Sequence, residues 1–357
     1  MPPIAGNAGA FRLVFSPCCP SVFSMPSAAD VVVGSGDFRY RVVPGWPQLP
    51  AGWSFYEVAG VAVDSHDRVY VFSRSDHPVC IFESDGRFVG SWGEGLLTHA
   101  HGITIAPDDT VWCTDDWNHS VRQFTPDGRL LQTLGTPGVA SPTGIDGLDY
   151  RSIRQAAGPF NLPTNVALAP DGSVYISDGY GNCRVHKFTA RGELMFSWGT
   201  PGDGPGQFNL PHGIAVDREG LVYVADRENS RVQVFTPEGT WLREWTATAR
   251  PMQVRFDRQG LAWVCDLGWR AGKFPWQTPP TDPPEGAHVR AFDAAGRLVA
   301  RFGGSDDPCA PGQFFAPHDL ALDSRGNIYV GEVVQSAGGN RGLVDPTCHT
   351  LQKFERL

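Results

Sequence analysis

One phrase recurs six times along this chain, and an internal repeat constrains a fold more tightly than any other sequence feature. Each copy has a short apolar strand, an Asp-rich turn, a second strand that usually ends in an acidic residue, and a third strand ending in Phe. The clearest copy reads Gly213-Ile-Ala-Val-Asp217, then Val222-Tyr-Val-Ala-Asp226, then Arg231 to Phe235. The other copies place their third-strand phenylalanine at Phe82, Phe124, Phe188, Phe292 and Phe354. A fourth strand follows most copies, as in Gly192-Glu-Leu-Met-Phe-Ser-Trp198. The runs are β-branched and aromatic and are bounded by Gly, Pro and Asp, which is strand chemistry, and helix signals are almost absent. Four short antiparallel strands per repeat make a propeller blade. The expected fold is therefore an all-β, six-bladed β-propeller.

The sixth copy reaches Leu357 after its third strand, whereas Asp37-Phe-Arg-Tyr-Arg-Val-Val43 is a strand pattern with no blade of its own. That segment is expected to complete blade six and close the ring, leaving no open edge between the chain ends. The expected organisation is a loose arm over 1–35 and one propeller over 36–357.

Composition narrows the class of partner. The chain has 357 residues, 41% of them hydrophobic, and a formal net charge of −9. Such an acidic balance argues against nucleic acid, whose binders carry a basic footprint, and against an anionic membrane surface. No stretch approaches the ~18 apolar residues of a membrane-spanning helix. The first residues lack the basic start and continuous apolar run of a secretory signal. The eight cysteines, Cys18, Cys19, Cys80, Cys113, Cys183, Cys265, Cys309 and Cys348, are scattered, several within strand patterns. They read as small buried residues in a reducing cytoplasm, and no pair has the spacing of a zinc knuckle.

Aligning the copies at the residue that opens the innermost strand gives the column Ala59, His101, Thr164, His212, Met252 and His318. Histidine occupies every second blade. Innermost strands line the propeller axis, so alternate blades of a six-fold ring stand about 120° apart. Three imidazoles then converge at one height with a fourth direction open along the channel. This is the arrangement of a catalytic metal ion, with zinc the first choice for an imidazole-only set.

The residues just past the second strands lie on the same face as this column. They include Arg74 and Arg227, in equivalent places of copies one and four and hence opposed across the mouth, and Tyr180 in copy three. An arginine fork suits a substrate carboxylate, and a phenol beside a metal and arginines can serve in proton transfer. The recurring Asp115, Asp178, Asp226 and Asp266 read as hydrogen-bonded turn residues, and Arg184 and Arg231 as ties between neighbouring blades. Two intervals between blade starts are long, 63 residues from His101 and 66 from Met252, against 40 to 48 elsewhere. The surplus lies in 135–160 and 267–288, and loops of this length are often lids or binding loops.

With these residues in place, the chain resembles NHL-repeat propellers and, in detail, the peptidyl-α-hydroxyglycine α-amidating lyases. The segments that carry the likeness are Phe72-Ser-Arg-Ser-Asp-His77, His101-Gly-Ile103, Phe160-Asn-Leu-Pro-Thr164, Ser177-Asp-Gly-Tyr-Gly-Asn182, Leu210-Pro-His212, Val224-Ala-Asp-Arg-Glu-Asn229 and Ala316-Pro-His-Asp319. The resemblance implies zinc on His101, His212 and His318, with Tyr180, Arg74 and Arg227 catalytic. It also implies a structural calcium held by the carbonyls of Val61 and Ile103 and by Asp319. The implied reaction cleaves the C–N bond of an N-acyl-α-hydroxyglycine, a small-molecule or peptide substrate with a carboxylate, to an amide and glyoxylate. The animal enzymes carry a disulfide cysteine after the tyrosine, where this chain has Gly181. A propeller hydrolase using the same metal and a non-catalytic NHL scaffold are the alternatives.

Overall fold

The repeats build six antiparallel sheets in a computed structural model that describes residues 31–357. Five blades have four strands each, in simple up-and-down order. Their innermost strands are Val58–Val63, Ala100–Ile105, Pro163–Leu168, Pro211–Val216 and Pro251–Phe256, and that of blade six is Pro317–Leu322. Blade six takes its outer strands from the start of the chain. Strand β1 (Val32–Ser35) pairs with β2 (Phe38–Val43), and β2 pairs antiparallel with Leu351–Arg356, Tyr40 opposite Arg356. The ring closes as the orphan strand pattern implied. One boundary differs: Val32–Ser35 belongs to the sheet as a fifth strand rather than to the arm. Residues 1–30 of that arm, with Cys18 and Cys19, lie outside the described residues.

The repeat exists because each copy fills the same places in the core. The third-strand phenylalanines Phe82, Phe124, Phe188, Phe235, Phe292 and Phe354 are all buried, as are the second-strand aromatics Tyr70, Trp112, Tyr175, Tyr223, Trp263 and Tyr329. Packing of these rings between sheets is the main hydrophobic term, and truncating one such Phe costs about 3–5 kcal/mol. The turn aspartates satisfy polar tips that the packing would otherwise strand: Tyr223 Oη donates to Asp217 at 3.0 Å, Trp263 Nε1 to Asp257 at 3.0 Å and Tyr329 Oη to Asp323 at 3.1 Å.

The acids that end the second strands have a common task. Asp115 accepts from the amides of Thr98 and His99, Asp178 from Asn161, Asp226 from Asn209, Asp266 from Ala249, and Glu332 from Phe315 and Ala316. Each therefore pins the loop that enters its own innermost strand, the structural role expected of them. Arg231 joins Asp226, Glu244 and two carbonyls of the loop entering its blade, and Arg184 reaches the carbonyls of Ser197 and Gly199, so both tie strands and loops of their own blade instead of joining neighbouring blades.

The cysteines depart from expectation at two positions. Cys80, Cys113, Cys183 and Cys265 are free and buried. Cys309 and Cys348 instead form a disulfide, with Cα atoms 5.1 Å apart, linking the loops before the first and third strands of blade six. This bond removes the cysteine argument for a reducing compartment. No helix among the described residues is long and apolar enough to cross a membrane.

Candidate metal centre

A β-bulge straddles each histidine, as the register shifts at Ala100/Gly102, Pro211/Ile214 and Pro317/Asp319 record. Bulges re-aim a side chain out of the regular alternation, and here they turn His101, His212 and His318 toward the axis. The three rings are equally spaced, with every pair of centroids 4.7 Å apart. One ligand atom from each lies within 4.8 Å of the other two, and all three residues are buried.

Hydrogen bonds fix which nitrogen faces inward. His101 Nδ1 lies 2.5 Å from the carbonyl oxygen of Thr164, His212 Nδ1 2.8 Å from that of Met252, and His318 Nδ1 2.6 Å from that of Ala59. The acceptors are the three non-histidine members of the same column, each on the next blade. A carbonyl only accepts, so each Nδ1 carries the hydrogen and each Nε2 keeps its lone pair. The Nε2 atoms of His101 and His318 are buried and have no hydrogen-bond partner. A buried, unpaired polar atom costs about 1–3 kcal/mol. With His212 Nε2 on the same centre and every ring backed by a carbonyl on its far nitrogen, the three imidazoles are a donor set that could hold a transition-metal ion. Burial, the neighbouring imidazoles and the arginines push His101 and His212 well below the ordinary histidine range; burial and Arg74 push His318 down to about 3. All three are therefore neutral at physiological pH, the form that ligates. Close approach of neighbouring blades makes this possible. A Cβ on Gly213 would stand 2.5 Å from the very carbonyl that His212 uses.

Tyr180 reaches the centre because Gly179 passes tight against blade four, where a Cβ would lie 2.0 Å from the carbonyl oxygen of Pro211. Its hydroxyl is 3.4 Å from His212 Nε2 and accepts from Arg227 Nη1 at 3.1 Å. Arg74 Nε donates to the carbonyl of Ala100, the residue before His101, at 3.0 Å. Tyr180, Arg74 and Arg227 thus line one cavity of about 340 Å³ together with Trp117, Met252 and Phe274. The structure brings together the residues expected of the site, yet neither arginine is a free fork. Arg74 Nη1 is bonded to Glu57 at 2.7 Å and Ser336 at 3.2 Å, and Arg227 Nε to Glu228 at 2.7 Å. Only Nη2 of each makes no hydrogen bond among the described residues.

Glu57 and Glu228 hold these arginines, a role the sequence did not assign to either, although Glu228 falls in the segment Val224-Ala-Asp-Arg-Glu-Asn229 at the mouth. Glu228 also accepts from buried Arg250, at 3.0 and 3.1 Å, and from Gln277 Nε2. Arg250 goes on to the carbonyls of Gly268, Ala271 and Gly272. The loop 267–288 is thereby latched to the turn that carries Arg227. The other long loop meets it over the mouth: Tyr150 Oη accepts from Trp276 Nε1 at 3.2 Å, and the Arg151 guanidinium lies 3.8 Å from the Trp276 ring centre. Both long intervals therefore supply walls of the cavity, through Leu148 and Phe274.

The expected calcium position is different. Val61 and Ile103 both lie beside Asp319 or its partner, and Arg255 stands between Ile103 and Asp319. Its Nη2 donates to the Ile103 carbonyl at 2.8 Å and to Asp319 Oδ1 and Oδ2 at 3.3 and 3.2 Å. Val61 presents its amide, 3.3 Å from Asp319 Oδ2, and Leu320 N donates to Oδ1 at 2.8 Å. Calcium takes 6–8 oxygens at about 2.3–2.6 Å. A carboxylate that already accepts four hydrogen bonds, beside a guanidinium, does not fit that ion.

The NHL repeat model matches residues 160–188 and 208–235. Human NHL repeat-containing protein 3 is 34% identical over 275 residues, which are 72% of this chain and 75% of that protein. The chain belongs to the NHL-repeat β-propeller family. As an NHL propeller it is also similar to peptidyl-alpha-hydroxyglycine alpha-amidating lyase 1 of Drosophila melanogaster, 32% identical over 273 residues, 70% of this chain and 45% of that one. Among solved structures, a gluconolactonase of Xanthomonas campestris superposes with a TM-score of 0.55 over 90% of each chain at 14% identity. That last likeness concerns the NHL chain's fold alone.

Proposed function

We propose that the chain is a zinc-dependent carbon–nitrogen lyase acting on an N-acyl-α-hydroxyglycine-type substrate. The observation that carries this reading is the chain of contacts Arg227 Nη1, Tyr180 Oη, His212 Nε2 at 3.1 and 3.4 Å. It sets a phenol oxygen between a cation and a metal-facing nitrogen. Relatives named as amidating lyases, including that of Drosophila, support the same reaction class.

His101, His212 and His318 would hold the zinc, which when bound supplies a Lewis acid for a substrate oxygen. Tyr180 takes the proton of the α-hydroxyl as the carbon–oxygen double bond forms and the C–N bond breaks. The departing amide nitrogen takes up one proton, so the products, an amide and glyoxylate, together have the composition of the substrate. Arg227 offsets negative charge on the phenol oxygen while Tyr180 is deprotonated. The Nη2 groups of Arg74 and Arg227 are left to receive the substrate carboxylate.

The test is glyoxylate release from an N-acyl-α-hydroxyglycine by wild type and by Tyr180→Phe. The variant keeps the ring and loses only the oxygen. Its turnover should fall by roughly 10²–10⁴-fold, the worth of a positioned acid–base group, with zinc content and melting temperature unchanged. Near-normal turnover in the variant would reduce Tyr180 to a pocket wall. No glyoxylate from zinc-loaded wild type would end the lyase reading.

A further inference from the structure

The axial channel holds a second site below the histidines, where the family resemblance calls for calcium and the chain places Arg255. The geometry points to Arg255 as a covalent replacement for that cation, so that this propeller closes its axis with its own guanidinium and needs no calcium to fold.

Three observations carry this. First, the guanidinium contacts the groups that a central cation would neutralise. Its Nη2 is bonded to the carbonyl of Ile103 in blade two and to both oxygens of Asp319 in blade six, and Nη1 to Thr104 Oγ1 at 3.1 Å. One side chain from blade five thereby ties three blades together across the axis. Second, Asp319 is buried and forms its ion pair here with Arg255 at 3.2 Å. An unpaired carboxylate at such a place is strongly disfavoured, and Arg255 is the cation that pairs with it. Third, the position is singular within the repeat. Three residues after each member of the histidine column the chain reads Ala62, Thr104, Ala167, Ala215, Arg255 and Ala321. Five copies carry a small residue, and only the blade that faces Asp319 and Ile103 carries a long cation. A divalent ion added beside that guanidinium would meet like charge at hydrogen-bond range, and its ligands are already engaged.

This inference concerns stability and is independent of the reaction proposed above, so its test reads no activity. Zinc-loaded wild type is melted with added calcium chloride and without it, and its calcium content is measured after gel filtration. The expected result is no calcium retained and no shift in Tm. A resident calcium at roughly a hundredfold excess over its Kd would instead raise Tm by about 4 °C. One calcium per chain with such a shift overturns the inference. Arg255→Met removes the cation while keeping a long side chain. It should melt lower than wild type and regain part of the loss with calcium; a variant as stable as wild type and indifferent to calcium also overturns it. Should Arg255→Met fail to fold, Arg255→Lys, which keeps a positive charge, is expected to fold and ignore calcium, and a calcium requirement in that variant counts against the inference.

Discussion

Glu228→Gln isolates the electrostatics that hold the mouth of the propeller together. Glu228 is 1% exposed and faces two guanidiniums: Arg227, 4% exposed, at 2.7 Å and Arg250, fully buried, at 3.0 Å. Burial acts against its charge, but Arg227 and Arg250 outweigh burial and hold the carboxyl below the usual glutamate range. Glutamine has the same shape, so no cavity opens, and Arg250 keeps its three backbone acceptors. The loss then comes from leaving buried cations without their anion. Removing one partner of a buried pair costs about 3–5 kcal/mol, and the retained shape places this change near the lower end. At about 2.1 cal/mol/K of unfolding entropy per residue, a loss of about 3 kcal/mol lowers Tm by roughly 4 °C. The pH dependence adds a second constraint. A folded pKa below the unfolded one contributes stability that is present above the unfolded value, about 4.3, and is lost as pH falls through the folded value. The gap between wild type and variant, read by urea denaturation, should be full at pH 7 and narrow only below about pH 4. Limited proteolysis should also cut 267–288 faster in the variant. A loss under about 1 kcal/mol at pH 7, or a gap that does not change with acid, would refute the latch.

Other perturbations test separate parts of the account. Gly179→Ala places a Cβ against the Pro211 carbonyl, 2.0 Å away in the present backbone; it should cost about 1–3 kcal/mol as overpacking and, by shifting Tyr180, about 10²-fold in turnover. Equal turnover would show that the phenol is not positioned by this contact. Reducing Cys309–Cys348, which closes a segment of 39 residues, should lower stability by up to about 4 kcal/mol on the loop-entropy account; identical urea midpoints with and without reductant would remove the bond from the folding energetics.

The blade count and the histidine column were legible because both depend on the repeat period alone. Every copy places Phe and a second aromatic at matching places, five of the six add an acid where copy one has Ser73, and the period carries His101, His212 and His318 to one height without any knowledge of loops. The closing strand was legible for the same reason, being a strand pattern without a blade. The contacts that modify the arginines were not. Glu57 and Glu228 sit beside blade elements with no distinctive spacing, and their partners depend on how the side chains fold back at the mouth. Arg255 did leave a signal in its column of small residues. Its direction was hidden by the bulge at the start of each innermost strand, which breaks simple alternation. The pairing of Tyr150 with Trp276 is non-local, and no periodicity encodes it. The disulfide was obscured because four other described cysteines are buried and free.

The central claim is that three symmetric histidines form one metal centre, and metal stoichiometry tests it most directly. Purified wild type, His101→Ala, His212→Ala and His318→Ala are each loaded with zinc, desalted and measured by elemental analysis. The account predicts one zinc per chain in wild type and a sharp loss in every variant, because each ring supplies one of three ligands and none of the others can take its place. Wild type without stoichiometric metal, or variants that all keep a full complement, would contradict it.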